Sequence, residues 1–215
     1  MSQPASAAPA ALPFAESTPL GLFGLAIGCA ALLPVAFGVA LTPAALKTAA
    51  MFCLLFGAGG QLLAGLMALA NKNMPGGTLF TTFSFNWVMN WWALDGMAEG
   101  KMPDATVVLA VDVAFLVIFL VLTYAFGFFS RLLFAFLLDI DVLYVARILR
   151  ELTHAPQFGL VIAAATVVLI CTALWLAFAL VLNPIAGRAV FPMPGPLFTP
   201  APTAAPVASS PPAAH

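Results

Sequence analysis

Two aspartates, Asp139 and Asp141, stand in the middle of the hydrophobic run "AFLLDIDVLYVARILREL" (residues 135–152), and a third, Asp112, sits inside the apolar run before it. In a bilayer such carboxylates pair with a base, hold a proton or face water. At a spanning helix centre Asp costs about 2.5–3.5 kcal/mol, while Leu, Ile, Phe and Val return about 0.3–0.6 each. Asp139 and Asp141 therefore cost roughly 5–7 kcal/mol, and the apolar residues from Phe128 to Leu143 return roughly 3–7. Alone, this helix is near break-even, so its polar side needs partners or water. At 100° per residue the two acids lie about 200° apart, flanking Ile140. No base lies three or four positions from either, so an ion pair must come from another helix. The candidates, Arg131 and Arg147, lie near the expected helix ends. Acids outnumber these bases, so at least one acid is neutral through desolvation or faces a water-filled cavity. Intramembrane ionisable groups are functional candidates by default; the alternative is a structural pair with Arg147 or Arg131.

A second polar feature is "TLFTTFSFNWVMNWWAL" (78–94), where Thr78, Thr82, Asn86 and Asn90 recur every four residues. On a helix they form one slowly turning stripe, climbing about 12 Å from Thr82 to Asn90. In a membrane it must face protein or water, as an interhelical hydrogen-bond seam or as the wall of a polar pathway. Gln61, alone among the glycines of "FGAGGQLLAG", has the same two readings. Catalytic patterns are not found. His154 lies among polar loop residues, and "FGAGGQ" lacks the spacing and the base of a phosphate-cradling loop. The expectation is a non-enzyme with no cofactor.

The elements that must position these groups are membrane helices. The 215 residues are 63% hydrophobic and 7% charged, with a mean hydropathy of +1.09. A soluble domain carries about 25% charged residues, so water cannot be the solvent here. A net charge of −1 without basic runs excludes a nucleic-acid binder and a surface-bound amphipathic protein. Spanning takes about 20 apolar residues, which predicts six spans at roughly 20–41, 44–69, 78–94, 106–127, 129–149 and 158–182. The third and fifth are the weakest. Residues 1–18 are expected to form a disordered tail without the basic start of a signal peptide. Residues 19–192 form the transmembrane domain, and the Pro/Ala-rich 193–215 a second disordered tail. Lys and Arg are too evenly spread to fix orientation. Gly24 and Gly28 form a GxxxG step, and Gly57, Gly59, Gly60 and Gly65 a denser set, implying close helix packing and an oligomer. Cys29, Cys53 and Cys171 read as apolar packing residues.

Four segments, in order across residues 18–192, resemble the acetate uptake transporter family, also called succinate–acetate permeases. They are "TPLGLFGL" (18–25), "FGAGGQLLAGL" (56–66), "TLFTTFSFNW" (78–87) and "VLNPIAGRAVFP" (181–192). The resemblance implies an all-α protomer of six transmembrane helices and assembly as a hexamer. It also implies an inner-membrane location with cytoplasmic ends, and a pathway for small monocarboxylates in each protomer. The family's constriction residues carry over to Leu25, Phe83 and Ile140, with loss of a tyrosine hydroxyl at Phe83. Three departures stand out. The signature Asn-Pro-Ala-Pro reads Glu16-Ser17-Thr18-Pro19, the acidic residue usual late in the second span is Ala68, and Asp139 and Asp141 replace small hydroxyl residues beside Ile140.

The expected function is uptake of acetate or a similar short carboxylate, linked to protons. Gln61, Thr82, Asn86 and Asn90 are the pathway candidates; Asp139, Asp141 and Asp112 are the proton-coupling candidates. An ionised acid beside the constriction would repel a carboxylate by about 4 kcal/mol at 4 Å and an effective dielectric near 20. These acids must then be neutral while substrate passes. The alternatives are a channel for a small cation or neutral solute such as ammonium, and a non-transporting membrane scaffold.

Overall fold

The computed structural model describes residues 13–199, all of whose regular structure is helical. Six helices follow in chain order: α1 (Thr18–Ala36), α2 (Pro43–Ala70), α3 (Met74–Ala98), α4 (Ala105–Phe126), α5 (Arg131–Thr153) and α6 (Gln157–Ala186). Four of their starts are set by short polar side chains, which accept from the first free N–H groups. Thr42 accepts from Ala45, Asn73 from Gly76, Asp104 from Val107 and Ser130 from Leu132. Pro19, Pro43 and Pro75 stand in first turns, where a missing N–H costs nothing. His154 ends α5 in a left-handed conformation (φ 53°), and Gly187 ends α6 (φ 61°).

The helix boundaries differ from those expected. α1 stops at Ala36, short of 41, where Pro34 and the left-handed Gly38 break it. α3 begins before Thr78 because Asn73 and Pro75 start a helix inside what reads as a loop. α1, α2, α4 and α6 are long and apolar enough to cross a membrane. α3 and α5 have the length, 25 and 23 residues. The Thr, Asn and Trp content of α3 and the charges of α5 lower their hydropathy.

α2 is not uniform. From Cys53 to Gly60 it widens into a π-helix, over the stretch where Gly57, Gly59 and Gly60 carry no Cβ. The widened wall lets α1 approach closely: a Cβ on Gly24 would collide with the Phe56 carbonyl, and one on Gly60 would lie 3.3 Å from the Gly24 Cα. Trp87 of α3 lies against Gly28 and Gly57, filling the angle between the helices.

The helices close into a ring in the order α3, α2, α1, α6, α5, α4. Five joints bring backbones together. The sixth, between α4 and α3, is made by side chains: Phe119 packs edge-on against Phe83 (centroids 5.2 Å) and stacks on Tyr144 of α5 (5.6 Å). The outer surface is apolar, with α4 exposing Val107, Val117, Leu120 and Val121. At one end Glu99 takes Lys101 at 2.9 Å and Lys47 of α2 at 3.7 Å. The Lys101 hydrogen bond holds the Glu99 carboxyl below its ordinary range.

Residues 193–199, expected to belong to the disordered tail, are packed on the bundle. Asn183 accepts from Val190 and Phe191 N–H and donates to the Phe191 carbonyl, which turns the chain back after α6. Ser130 donates to Pro194, and Leu197 and Phe198 N–H donate to the Gly127 carbonyl. The Phe198 ring lies among Tyr124, Phe128 and Phe134. These contacts form a strap from the end of α6 to the α4–α5 turn. At the other end of the chain, the Asn71 side-chain amide accepts from Phe14 N–H and donates to the Phe14 and Ala15 carbonyls. The rest of the two expected tails, 1–12 and 200–215, lies outside the described residues.

Candidate functional site

Helices α1, α3 and α5 run in one direction and α6 against them, so their side chains can be followed level by level. At one level Leu22, Leu79, Phe80, Phe136 and Leu176 line a cavity of about 170 Å³, with Glu16 and Thr18 at its polar edge. One turn along come Leu25, Phe83 and Ile140, with relative exposures of 2%, 6% and 2%. Beyond them Phe83 and Ile140 form the floor of a small chamber of about 50 Å³, whose walls include Asn86, Asn90, Tyr144, Arg147 and Thr166. Asn86, Asn90 and Arg147 also border a third cavity, of about 240 Å³, between α3 and α4. Two cavities thus lie in line on opposite sides of a buried apolar level, and the second adjoins a third. A further cavity, about 450 Å³, lies between α1 and the start of α2, lined by apolar residues and Thr48. It holds none of the candidate groups.

The acids take three different positions. Asp112 of α4 is paired with Arg147 of α5: Nε donates to Oδ2 and Nη2 to Oδ1, each at 2.9 Å. This parallel, bidentate pairing is the strong form of a carboxylate–guanidinium bond. The Arg147 guanidinium also lies 5.7 Å from the centre of the Tyr144 ring, within cation–π range. Asp141 is buried; its Oδ2 accepts from Thr123 Oγ1 of α4 at 2.6 Å, and its Oδ1 has no partner. Asp139 is half-buried, and its Oδ2 is likewise without a partner. Neither borders the chamber, although both flank Ile140, which does.

The polar stripe of α3 divides. Asn86 is 9% exposed and, with Asn90, reaches the chamber. Asn90 also donates to the Asn86 carbonyl at 2.9 Å. Thr82 borders neither the chamber nor its neighbours, and Thr78 is exposed. Gln61, at the end of the π segment, is buried away from the chamber, with its Oε1 unpartnered.

Several chamber residues are not among the pathway candidates of the sequence, and three of them, Arg147, Tyr144 and Trp87, carry N–H or O–H donors. Their signal is helical spacing. Tyr144 is one turn from both Ile140 and Arg147, and Trp87 one turn from Phe83. Tyr144 and Trp87 are 1% and 2% exposed, and neither the Tyr144 hydroxyl nor the Trp87 indole N–H has a hydrogen-bond partner. Buried polar groups are seldom left unpaired. Here two line one chamber, together with a guanidinium that has N–H groups to spare. Such a cavity can hold a small solute that accepts hydrogen bonds.

No protein-family model matches the chain, and no curated protein sequence matches it. By structure it is similar to the bacterial acetate channel SatP, with a TM-score of 0.75 and 23% sequence identity; the match covers 84% of this chain and 99% of that one. The all-helical bundle described above therefore has the fold of that channel.

Proposed function

We propose that the protein is a multi-pass membrane transporter or channel for acetate or a similar short-chain carboxylate. All six helices span the membrane. By the family resemblance, six protomers assemble in an inner membrane with cytoplasmic ends, each with its own pathway. Leu25, Phe83 and Ile140 are the constriction of that pathway; Asn86 and Asn90 are its polar wall on one side.

The observation that carries this reading is the pair of cavities aligned across the level of Leu25, Phe83 and Ile140. A solute crossing there sheds water at an apolar step and meets hydrogen-bond donors beyond it. The only charged residue bordering the chamber is Arg147, which favours a carboxylate over ammonium. Fold likeness to an acetate channel points the same way.

Proton linkage falls to Asp139 and Asp141. Each has a carboxylate oxygen without a partner, and each flanks the constriction residue Ile140. A carboxylate passing two ionised acids would be repelled, so uptake requires that protons neutralise them as substrate crosses. Asp112 has a different part, since Arg147 already satisfies it.

The test is uptake of radiolabelled acetate into proteoliposomes, with and without an inward proton gradient, corrected for leakage through protein-free vesicles. Gradient-driven accumulation above that background is expected. Uptake equal to that of empty vesicles, combined with flux of ammonium, would replace the carboxylate reading with the cation one.

A further inference from the structure

We infer that the chamber between α1, α3, α5 and α6 is a carboxylate-binding site sized for a two-carbon acid, with the Arg147 guanidinium, the Tyr144 hydroxyl and the Trp87 indole N–H as its donors. This inference rests on the transport reading and adds the residues that hold the substrate and the reason for its size.

Donor chemistry comes first. Arg147 carries five N–H donors and bonds Asp112 through Nε and Nη2 alone. At least three N–H groups remain beside the chamber it borders. Asp112 is a positioning residue: its two-point grip sets the plane of the guanidinium and offsets its charge, so a bound anion is held without being trapped. The Tyr144 hydroxyl and Trp87 N–H, both buried and unpartnered, face the cost of lost hydration until an acceptor arrives. A carboxylate has two oxygens and about four acceptor positions, which suits this donor set. The chamber borders no acidic side chain that would repel it.

Size comes second. A cavity needs about 10–15 Å³ on this measure to hold one water, so 50 Å³ accommodates roughly three to five heavy atoms. Acetate has four. Phe83, Ile140, Leu143 and Leu169 supply the apolar wall for its methyl group. A longer acid held wholly within the chamber has to displace one of these side chains.

The experiment uses the full-length protein in proteoliposomes and measures the KM for radiolabelled acetate and inhibition by propionate and butyrate. Tyr144→Phe keeps the ring that stacks on Phe115 and Phe119 and removes only the hydroxyl. Its KM is expected to rise about 10- to 100-fold, the range for a hydrogen bond to a charged acceptor. Leu143→Ala enlarges the chamber, and butyrate is expected to become an inhibitor about tenfold more potent relative to acetate, the low end for added methylenes in an apolar pocket. A purely structural role for Leu143 would not change that order of acids. An unchanged KM in Tyr144→Phe with an unchanged order of acids in Leu143→Ala would overturn the chamber assignment and leave the transport reading standing. Failure of the wild-type protein to take up acetate at all would overturn both.

Discussion

Removing Asp112 tests the pairing on which the geometry of the chamber depends. At 2.9 Å and an effective dielectric near 20, the gross attraction between the two charges is about 6 kcal/mol. Much of it is spent on desolvation, and breaking a buried pair from one side costs about 3–5 kcal/mol. The Asp112 side chain is 8% exposed but that of Arg147 is 26%, so the orphaned guanidinium can reach water. Asp112→Ala is therefore expected at the low end, about 3 kcal/mol. The double variant Asp112→Leu/Arg147→Met replaces the pair with apolar volume and is expected to recover stability to within about 1 kcal/mol of wild type. A double-mutant cycle through Asp112→Leu, Arg147→Met and the double variant, measured as the folded fraction of the detergent-solubilised protein across an SDS titration, should then give a coupling of at least about 2 kcal/mol. The folded double variant should still transport acetate poorly, because the guanidinium is gone. A loss below about 0.5 kcal/mol in Asp112→Ala, within the range of exposed ion pairs, would refute the reasoning. So would a double variant no more stable than the single one.

Three further outcomes follow from the described contacts. Gly24→Ala, whose methyl group meets the Phe56 carbonyl, should cost about 1–3 kcal/mol, whereas Gly59→Ala, where the nearest atom lies at 3.6 Å, should be tolerated; gel filtration after graded heating separates the two. Asn183→Ala removes three hydrogen bonds to residues 190–191 and should speed hydrogen exchange at Val190 and Phe191 by at least tenfold without changing exchange in α1. Asp139→Asn together with Asp141→Asn should leave acetate inhibition of uptake in place and abolish the pH dependence of transport; an unchanged pH profile in the proteoliposome assay would remove both acids from the proton pathway.

The fold was readable because hydropathy, proline and capping residues act locally. Six apolar segments separated by "TPAALK", "ANKNMPGG", "DGMAEGKMPD", "GFFSR" and "RELTHAPQ" correspond to the six helices, with differences confined to their ends. The π segment of α2 was not readable. A run of glycines signals close packing, but the wider turn depends on what α1 and Trp87 present to it. The site was half legible. Asn86 and Asn90 announced themselves by period, and both border the chamber. Thr82 shares that period but falls outside, because a stripe repeating every four residues drifts around a helix of 3.6 residues per turn. Arg147 was placed near a helix end, yet α5 runs on to Thr153, six residues further, or about 9 Å along the axis. Its pairing with Asp112 joins positions 35 residues apart, which no local pattern reveals.

The uneven ring also has a mechanical consequence. Five joints set backbone against backbone, and the strap ties the end of α6 to the α4–α5 turn, so α4, α5 and α6 are held to one another at that end. The remaining joint, between α3 and α4, rests on the Phe119 ring, which stands edge-on to Phe83 and stacks on Tyr144 of α5. Rings in such contact can shift against each other without breaking a hydrogen bond. The joint of the ring with the least backbone contact is therefore the one that carries Phe83, so any change in the spacing of α3 and α4 falls first on a ring that borders the chamber.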